Sequence, residues 1–255
     1  MGNYVFNFNE FLNESQLNEG TLRNAKHLGE AAQKEFNQMK MDFLKKQVQL
    51  CKKHGVKCFL DYGSLLGLHR DGEMIKNDND CDMAIYGETV TKEFLLDIEK
   101  EFVLVRPKNI QTLINKLFPE KEDADDYHEI PYIGLGHKDS QGNIASVKSE
   151  SGQKVECGGD FFFYYPYKDG KRITRWPGWE VQLVSDKHFK NTGSISKGGF
   201  KYPIPSNPDG YCEYVYGEDW KTPKSRSGHG SELEFISRTE GKKFAWSHKE
   251  KKAKL

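Results

Sequence analysis

The apolar positions Phe36, Met39, Phe43, Val48 and Cys51 recur at steps of three, four and five residues inside an otherwise polar stretch. Such spacing keeps them on one face and predicts a long amphipathic helix between Thr21 and His54, closed by Gly55. Its apolar stripe is core-facing. VKCFLD, Val56 to Asp61, then reads as a short buried strand, and Ser64 to Arg70 as a brief helix entered through the Gly63-Ser64 turn. Beyond the turn at Asp71-Gly72 comes a second strand, Asp80 to Tyr86. Because strand side chains alternate, Cys81, Met83 and Ile85 point one way and Asp80 and Asp82 the other.

Thr91 to Phe102 has the pattern of a Thr-capped helix, and Phe102 to Val105 continues as a strand. Glu120 to Glu129 is an acidic loop. From Tyr132 to Arg175 the pattern becomes β-rich, with Lys168-Asp169-Gly170-Lys171 as a hairpin turn and Asp160 opening the run DFFFYYP. Asn191 to Ser227 is rich in Gly, Pro and Ser and holds one helix signal, Pro208 to Tyr216. Gly241 to Leu255 reads as a basic, solvated end. The organisation expected is an N-terminal extension over 1–20, a catalytic domain over 21–227 and a polar basic tail over 228–255.

Charge narrows the partners. With 38 basic and 38 acidic side chains in 255 residues, no global positive field draws the chain to nucleic acid, and no nucleic-acid partner is expected. Five cysteines are scattered without a C-x-x-C pair, which argues against a disulfide framework or zinc cage and fits a reducing compartment. No apolar run is long enough for a transmembrane segment. The expectation is a cytoplasmic protein.

The aspartates carry the chemistry. Two carboxylates on one strand face, one residue apart, repel each other and suit a shared hard cation, Mg²⁺ or Mn²⁺, which commonly bridges to substrate phosphate. Asp80 and Asp82 form that pair, and Asp160 is the best-placed third ligand. The Gly63-Ser64 turn offers backbone N–H groups and a hydroxyl to the same phosphates. Arg70 is a candidate to neutralise charge on the transferred phosphorus. Trp176 and Trp179 could cage a quaternary ammonium, although core packing explains that aromatic stretch more simply.

The order strand, Gly-Ser, helix, Asp-x-Asp, strand resembles the DNA polymerase β-like nucleotidyltransferase fold. More specifically, YGSLLGLHRDGEMIKNDNDCDMAI resembles the signature of the LicD/fukutin family, GGDFFFYYP its second acidic strand, and NPDGYCEYVYGEDWKTP its C-terminal Tyr-Gly-x-x-Trp-x-x-Pro segment. The likeness spans roughly 36–223. It implies an α+β fold: a nucleotidyltransferase-like mixed β-sheet flanked by helices, with a β-rich and loop-rich C-terminal elaboration. It also implies metal ligands at Asp80, Asp82 and Asp160, with Asp78 orienting or deprotonating the acceptor, and phosphate contacts at Gly63, Ser64 and Arg70. Lys76-Asn77 replaces the family's usual Pro-Trp, and Asn79 a frequent acidic residue, which bears on donor or acceptor preference.

The activity implied is transfer of a phospho-alcohol, phosphocholine or a polyol phosphate such as ribitol phosphate, from a CDP-activated donor to a hydroxyl of a glycan or glycolipid. CDP-choline and CDP-polyols are the donors expected, and CMP the product released. Two rivals remain: a nucleotidyltransferase adding NMP to a small molecule or protein, and an inactive nucleotide- or carbohydrate-binding module of the same fold.

Overall fold

The computed structural model describes residues 28–76, 78–118, 127–128, 130–175, 181–223, 233–236 and 244–254. The first helix, α1, runs Glu30–Lys53 and buries Phe36, Phe43, Leu44, Val48, Leu50 and Cys51, together with Lys40 and Gln47. Gly55, at φ +66°, closes it; its N–H donates to Lys52 and that of Val56 to Cys51, a left-handed end that glycine adopts without strain.

A mixed eight-stranded sheet forms the centre, in an α+β arrangement. β1 (Cys58–Leu60) pairs antiparallel with β2 (Met83–Tyr86), and β2 runs parallel to the long β8 (Gly158–Pro166). Apolar side chains fill both strands of the parallel pair, as burial on two faces requires. β5 (Tyr132–His137) lies antiparallel to β8 and carries β3 (Phe102–Arg106) at its other edge. β9 (Lys171–Arg175), β10 (Val181–Ser185) and β13 (Glu234–Ile236) extend the sheet from the far end of β8. The β8–β9 turn places Asp169 and Gly170 at φ +56° and +66°, the successive left-handed pair of a tight hairpin.

Between β1 and β2 sit α2 (Tyr62–Leu66) and a π-helical turn, Gly67–Asp71. The expected Ser64–Arg70 helix thus begins earlier and splits, with Asp61 as its cap. α3 (Lys92–Glu101) is capped by Thr91 as expected, and α4 (Ile110–Leu117) follows β3. Asp97 on α3 is staked to α1 by Lys53 at 2.6 Å and His54 at 3.0 Å.

Two hairpins, β6 (Ser146–Lys148) with β7 (Lys154–Glu156) and β11 (Thr192–Lys197) with β12 (Phe200–Pro205), form two-stranded sheets of their own, and β12 packs Tyr202 and Ile204 into the core beside β1. α5 spans Pro208–Tyr216, as its sequence predicts, with Asn207 accepting from Gly210 N–H at 3.0 Å. The C-terminal segment differs from its reading as a solvated end. β14 (Ala245–Ser247) pairs with β15 (Lys252–Lys254) and with β4 (Tyr127–His128), and Phe244 and Trp246 are buried against Tyr165. Each buried ring contributes on the order of 2–3 kcal/mol, which outweighs the solvation preference of the surrounding lysines. The N-terminal extension, Trp176, Trp179 and most of the acidic loop lie outside the described residues. Among the described residues, no helix is long and apolar enough to cross a membrane.

Candidate active site

Strand register assembles a charged row. Arg106 pairs with Gly134, and Gly134 with Asp160, across β3, β5 and β8. Met83 pairs in parallel with Phe161, so Asp82 stands beside Asp160, and Asp61 N–H donates to Asp82 O at 3.0 Å. Side chains paired across strands share a face. Asp61, Asp82, Asp160 and Arg106 therefore line one side of the sheet, with Gly134 between the last two.

Asp160 N–H donates to the carbonyl of Cys81, whose own N–H donates to Gly158. The ladder thus continues ahead of β2 and fixes the aspartate-bearing segment against β8. A Cβ on Gly159 would overlap the Cys81 backbone, so glycine is required for this approach. The Ser64 hydroxyl, fully buried, accepts from Asp82 N–H at 2.8 Å. Gly63 makes room for the Asp78 carboxylate, which a Cβ there would strike. Asp78 in turn accepts from Asp80 N–H at 3.2 Å. Gly63 and Ser64 thus seat the aspartates.

Electrostatics confirm the crowding of Asp82. Burial raises its pKa well above the carboxylate range, and the neighbouring charges of Asp160, Asp80, Asp78 and Asp61 add to this. Asp160 is pushed up to about 6 by burial, against the opposing pull of the Tyr132 hydroxyl, which donates to Oδ1 at 2.6 Å, and of Arg106. Asp78 is raised by burial while the Lys40 charge opposes the rise. Asp61, fully buried, is pushed up to about 6 despite accepting from Tyr211 at 2.7 Å, Tyr164 at 2.8 Å and Tyr62 N–H at 2.9 Å. Tyr62 itself is left-handed at φ +37°, with its hydroxyl donating to Gln182 at 2.6 Å.

Arg70 is placed elsewhere. Its guanidinium makes two 2.8 Å bonds to Asp71 and one of 3.3 Å to the carbonyl of Trp220, and Asp71 holds its pKa above the ordinary value. In this arrangement the guanidinium rests on the adjacent carboxylate and the Trp220 carbonyl. His69, next to it, stacks on Trp220 and bonds Asp209 at 2.6 Å.

Besides Asp61 and Arg106 in the row itself, three further contributors are not announced as site residues by the sequence pattern. Tyr132 binds Asp160. Tyr216 ends α5 within the field of Asp78, Asp82 and Asp61, which together with burial raises its pKa; the Tyr-Gly-x-x-Trp segment was the available signal. Lys40, fully buried on α1, donates to the carbonyls of Asp78 at 2.6 Å and Ile75 at 3.2 Å. A lysine inside an apolar stripe was its signal.

The donor set at Asp80, Asp82 and Asp160 is all oxygen and mutually repulsive, which suits a hard divalent cation rather than zinc or copper. Among the described residues, no three His, Cys, Asp or Glu side chains stand in a ready metal-holding arrangement. The sequence profile of the LicD/FKTN/FKRP nucleotidyltransferase domain matches residues 55–207, which contain this whole carboxylate row. The chain belongs to the LicD/FKTN/FKRP family. No curated protein matches it. LicD membership implies a phosphotransferase-type activity on glycans. Lys40, bonded to the Asp78 carbonyl, and Tyr216, within the field of Asp78 and Asp82, both lie outside the matched segment.

Proposed function

We propose that the protein transfers a phospho-alcohol from a CDP-activated donor, CDP-choline or a CDP-polyol such as CDP-ribitol, to a hydroxyl of a glycan or glycolipid, releasing CMP. The observation that carries this reading is the placement of Asp82, just ahead of β2, beside Asp160 on the parallel β8 of a LicD domain, with Asp80 two residues ahead. The order β1, α2, carboxylates, β2 supports a polymerase β-like nucleotidyltransferase core. All five cysteines are free thiols, which supports a reducing, cytoplasmic setting.

In this reading Asp80, Asp82 and Asp160 would hold Mg²⁺ or Mn²⁺, and the Tyr132 hydroxyl, donating to Asp160 Oδ1, orients that carboxylate. When bound, the cation neutralises charge on the donor diphosphate and on the departing CMP. Asp78 orients the acceptor hydroxyl and takes its proton as the oxygen attacks the phosphorus attached to the alcohol, in line with CMP. Asp80 N–H fixes Oδ1 of Asp78 for that task.

The test is CMP release from CDP-choline, CDP-ribitol and CDP-glycerol with Mg²⁺ or Mn²⁺, compared with the Asp80→Ala, Asp82→Ala double variant. Release by the parent protein and none by the variant is expected; equal release by both defeats the assignment. Mass spectrometry of the acceptor separates this transfer from nucleotidylation, because only the latter leaves NMP attached.

A further inference from the structure

Arg106 occupies its place through a β-bulge. Leu104 pairs with Leu135, yet the next β5 residue, Gly134, pairs with Arg106 rather than Val105. Without the extra residue, Val105 would face the carboxylates and the guanidinium would point away. Gly134 contributes no side chain, so the row Arg106, Gly134, Asp160 leaves a trough between a cation and a carboxylate set two strand spacings away, about 10 Å between Cα atoms. A Cβ at Gly134 would stand 3.3 Å from Asp160 Oδ1 and 3.6 Å from Tyr132 Oη, which marks the floor of that trough.

The charge is available. Arg106 is exposed, its field reaches Asp160 and Tyr132, and among the described residues its side chain forms no ion pair. Arg70, by contrast, is held by Asp71. An all-carboxylate wall repels a polyanion, so a diphosphate settling there needs a cation on its open side as well as one among the carboxylates.

We propose that Arg106 is the donor-binding arginine of the site, gripping the diphosphate of a nucleoside diphosphate-alcohol across Gly134 from the carboxylates. This rests on the phosphotransferase reading and names its phosphate clamp. Guanidinium presents paired N–H donors to phosphate oxygens, a geometry that lysine matches only as a point charge. No bond is made or broken by Arg106; it binds and orients the phosphate that reacts.

The experiment is calorimetric titration of the full chain with CDP in the presence of MnCl2, comparing the parent protein with Arg106→Gln, Arg106→Lys and Lys148→Gln. The last removes the same charge from the exposed β6–β7 hairpin. Arg106→Gln should weaken CDP binding by about tenfold or more, Arg106→Lys should fall between it and the parent, and Lys148→Gln should match the parent. CDP affinity of Arg106→Gln within about threefold of the parent overturns the clamp and leaves the phosphotransferase reading standing. A parent protein that does not bind CDP with Mn²⁺ overturns both.

Discussion

The buried ammonium of Lys40 donates to the main-chain carbonyl of Asp78 at 2.6 Å, tying α1 to the segment that presents the aspartates. A second bond reaches Ile75 O at 3.2 Å, and the Phe36 ring lies 5.4 Å from the same nitrogen. Two turns along the helix, Gln47 donates to Cys81 O at 3.4 Å. Lys40→Met keeps the volume but strips two carbonyls of their charged donor. It should lower unfolding stability by about 2–4 kcal/mol, measured by urea denaturation. Lys40→Arg should recover part of the loss. A Met variant as stable as its parent would show that the strap carries nothing.

Ser64 is the counterpart on the other side of the segment. Its hydroxyl is the acceptor for Asp82 N–H, and the residue is wholly buried, so Ser64→Ala leaves a buried donor unpaired. A loss of roughly 1–3 kcal/mol is expected by denaturation, with CMP release falling in parallel as Asp82 loses its seat. Unchanged stability with lost activity would instead give the hydroxyl a direct role with substrate.

What could be read locally in the sequence was read well. Pro208 and Asn207 mark the start of α5, Thr91 caps α3, and Asp169-Gly170 turns β8 into β9, all within a few residues of chain. The alternation expected from Asp80 onward applies only from Met83, where β2 begins, so Asp80 and Asp82 lie just ahead of the strand. Arg70 lies near the aspartates in sequence, but its guanidinium pairs with its immediate neighbour Asp71. Arg106 and Tyr132 reach Asp160 only through pairings between β3, β5 and β8, one of them bulged, and no local pattern announces such register. The lysines around Phe244 and Trp246 likewise hid a buried pair whose partner, Tyr165, lies far off in the chain.

His188 predicts an acid-side loss of stability. It is 3% exposed, packed against Tyr211 and Tyr214, and burial, helped by Lys187, holds its pKa down to about 4. The unfolded chain takes up a proton as pH falls below about 6.5, whereas the folded chain waits until about 4. The folded state therefore loses stability across that window, on the order of 2–3 kcal/mol. Asp61 and Asp160, raised to about 6, act in the opposite sense, because folded carboxyls protonate first. The histidine's share is the difference between the parent and His188→Phe. Denaturation curves from pH 7 to 4.5 should fall more steeply for the parent, and parallel curves would refute the assignment.

Asp82→Asn separates stability from function. In the parent, Asp82 is desolvated and surrounded by Asp160, Asp80, Asp78 and Asp61, so its charge costs free energy whenever no cation offsets it. The amide keeps the shape and retains the backbone N–H that Ser64 accepts, while removing one negative charge from the row. Without divalent ions the variant should be more stable than the parent by about 1–2 kcal/mol at pH 7, read as a higher melting temperature. With MnCl2 the order should reverse: the parent gains stability through binding and the variant gains little, having lost a carboxylate ligand. CMP release should be abolished. A variant that melts lower than the parent in metal-free buffer would mean that Asp82 serves the fold as a paired charge, and would remove the electrostatic argument for a cation at this site.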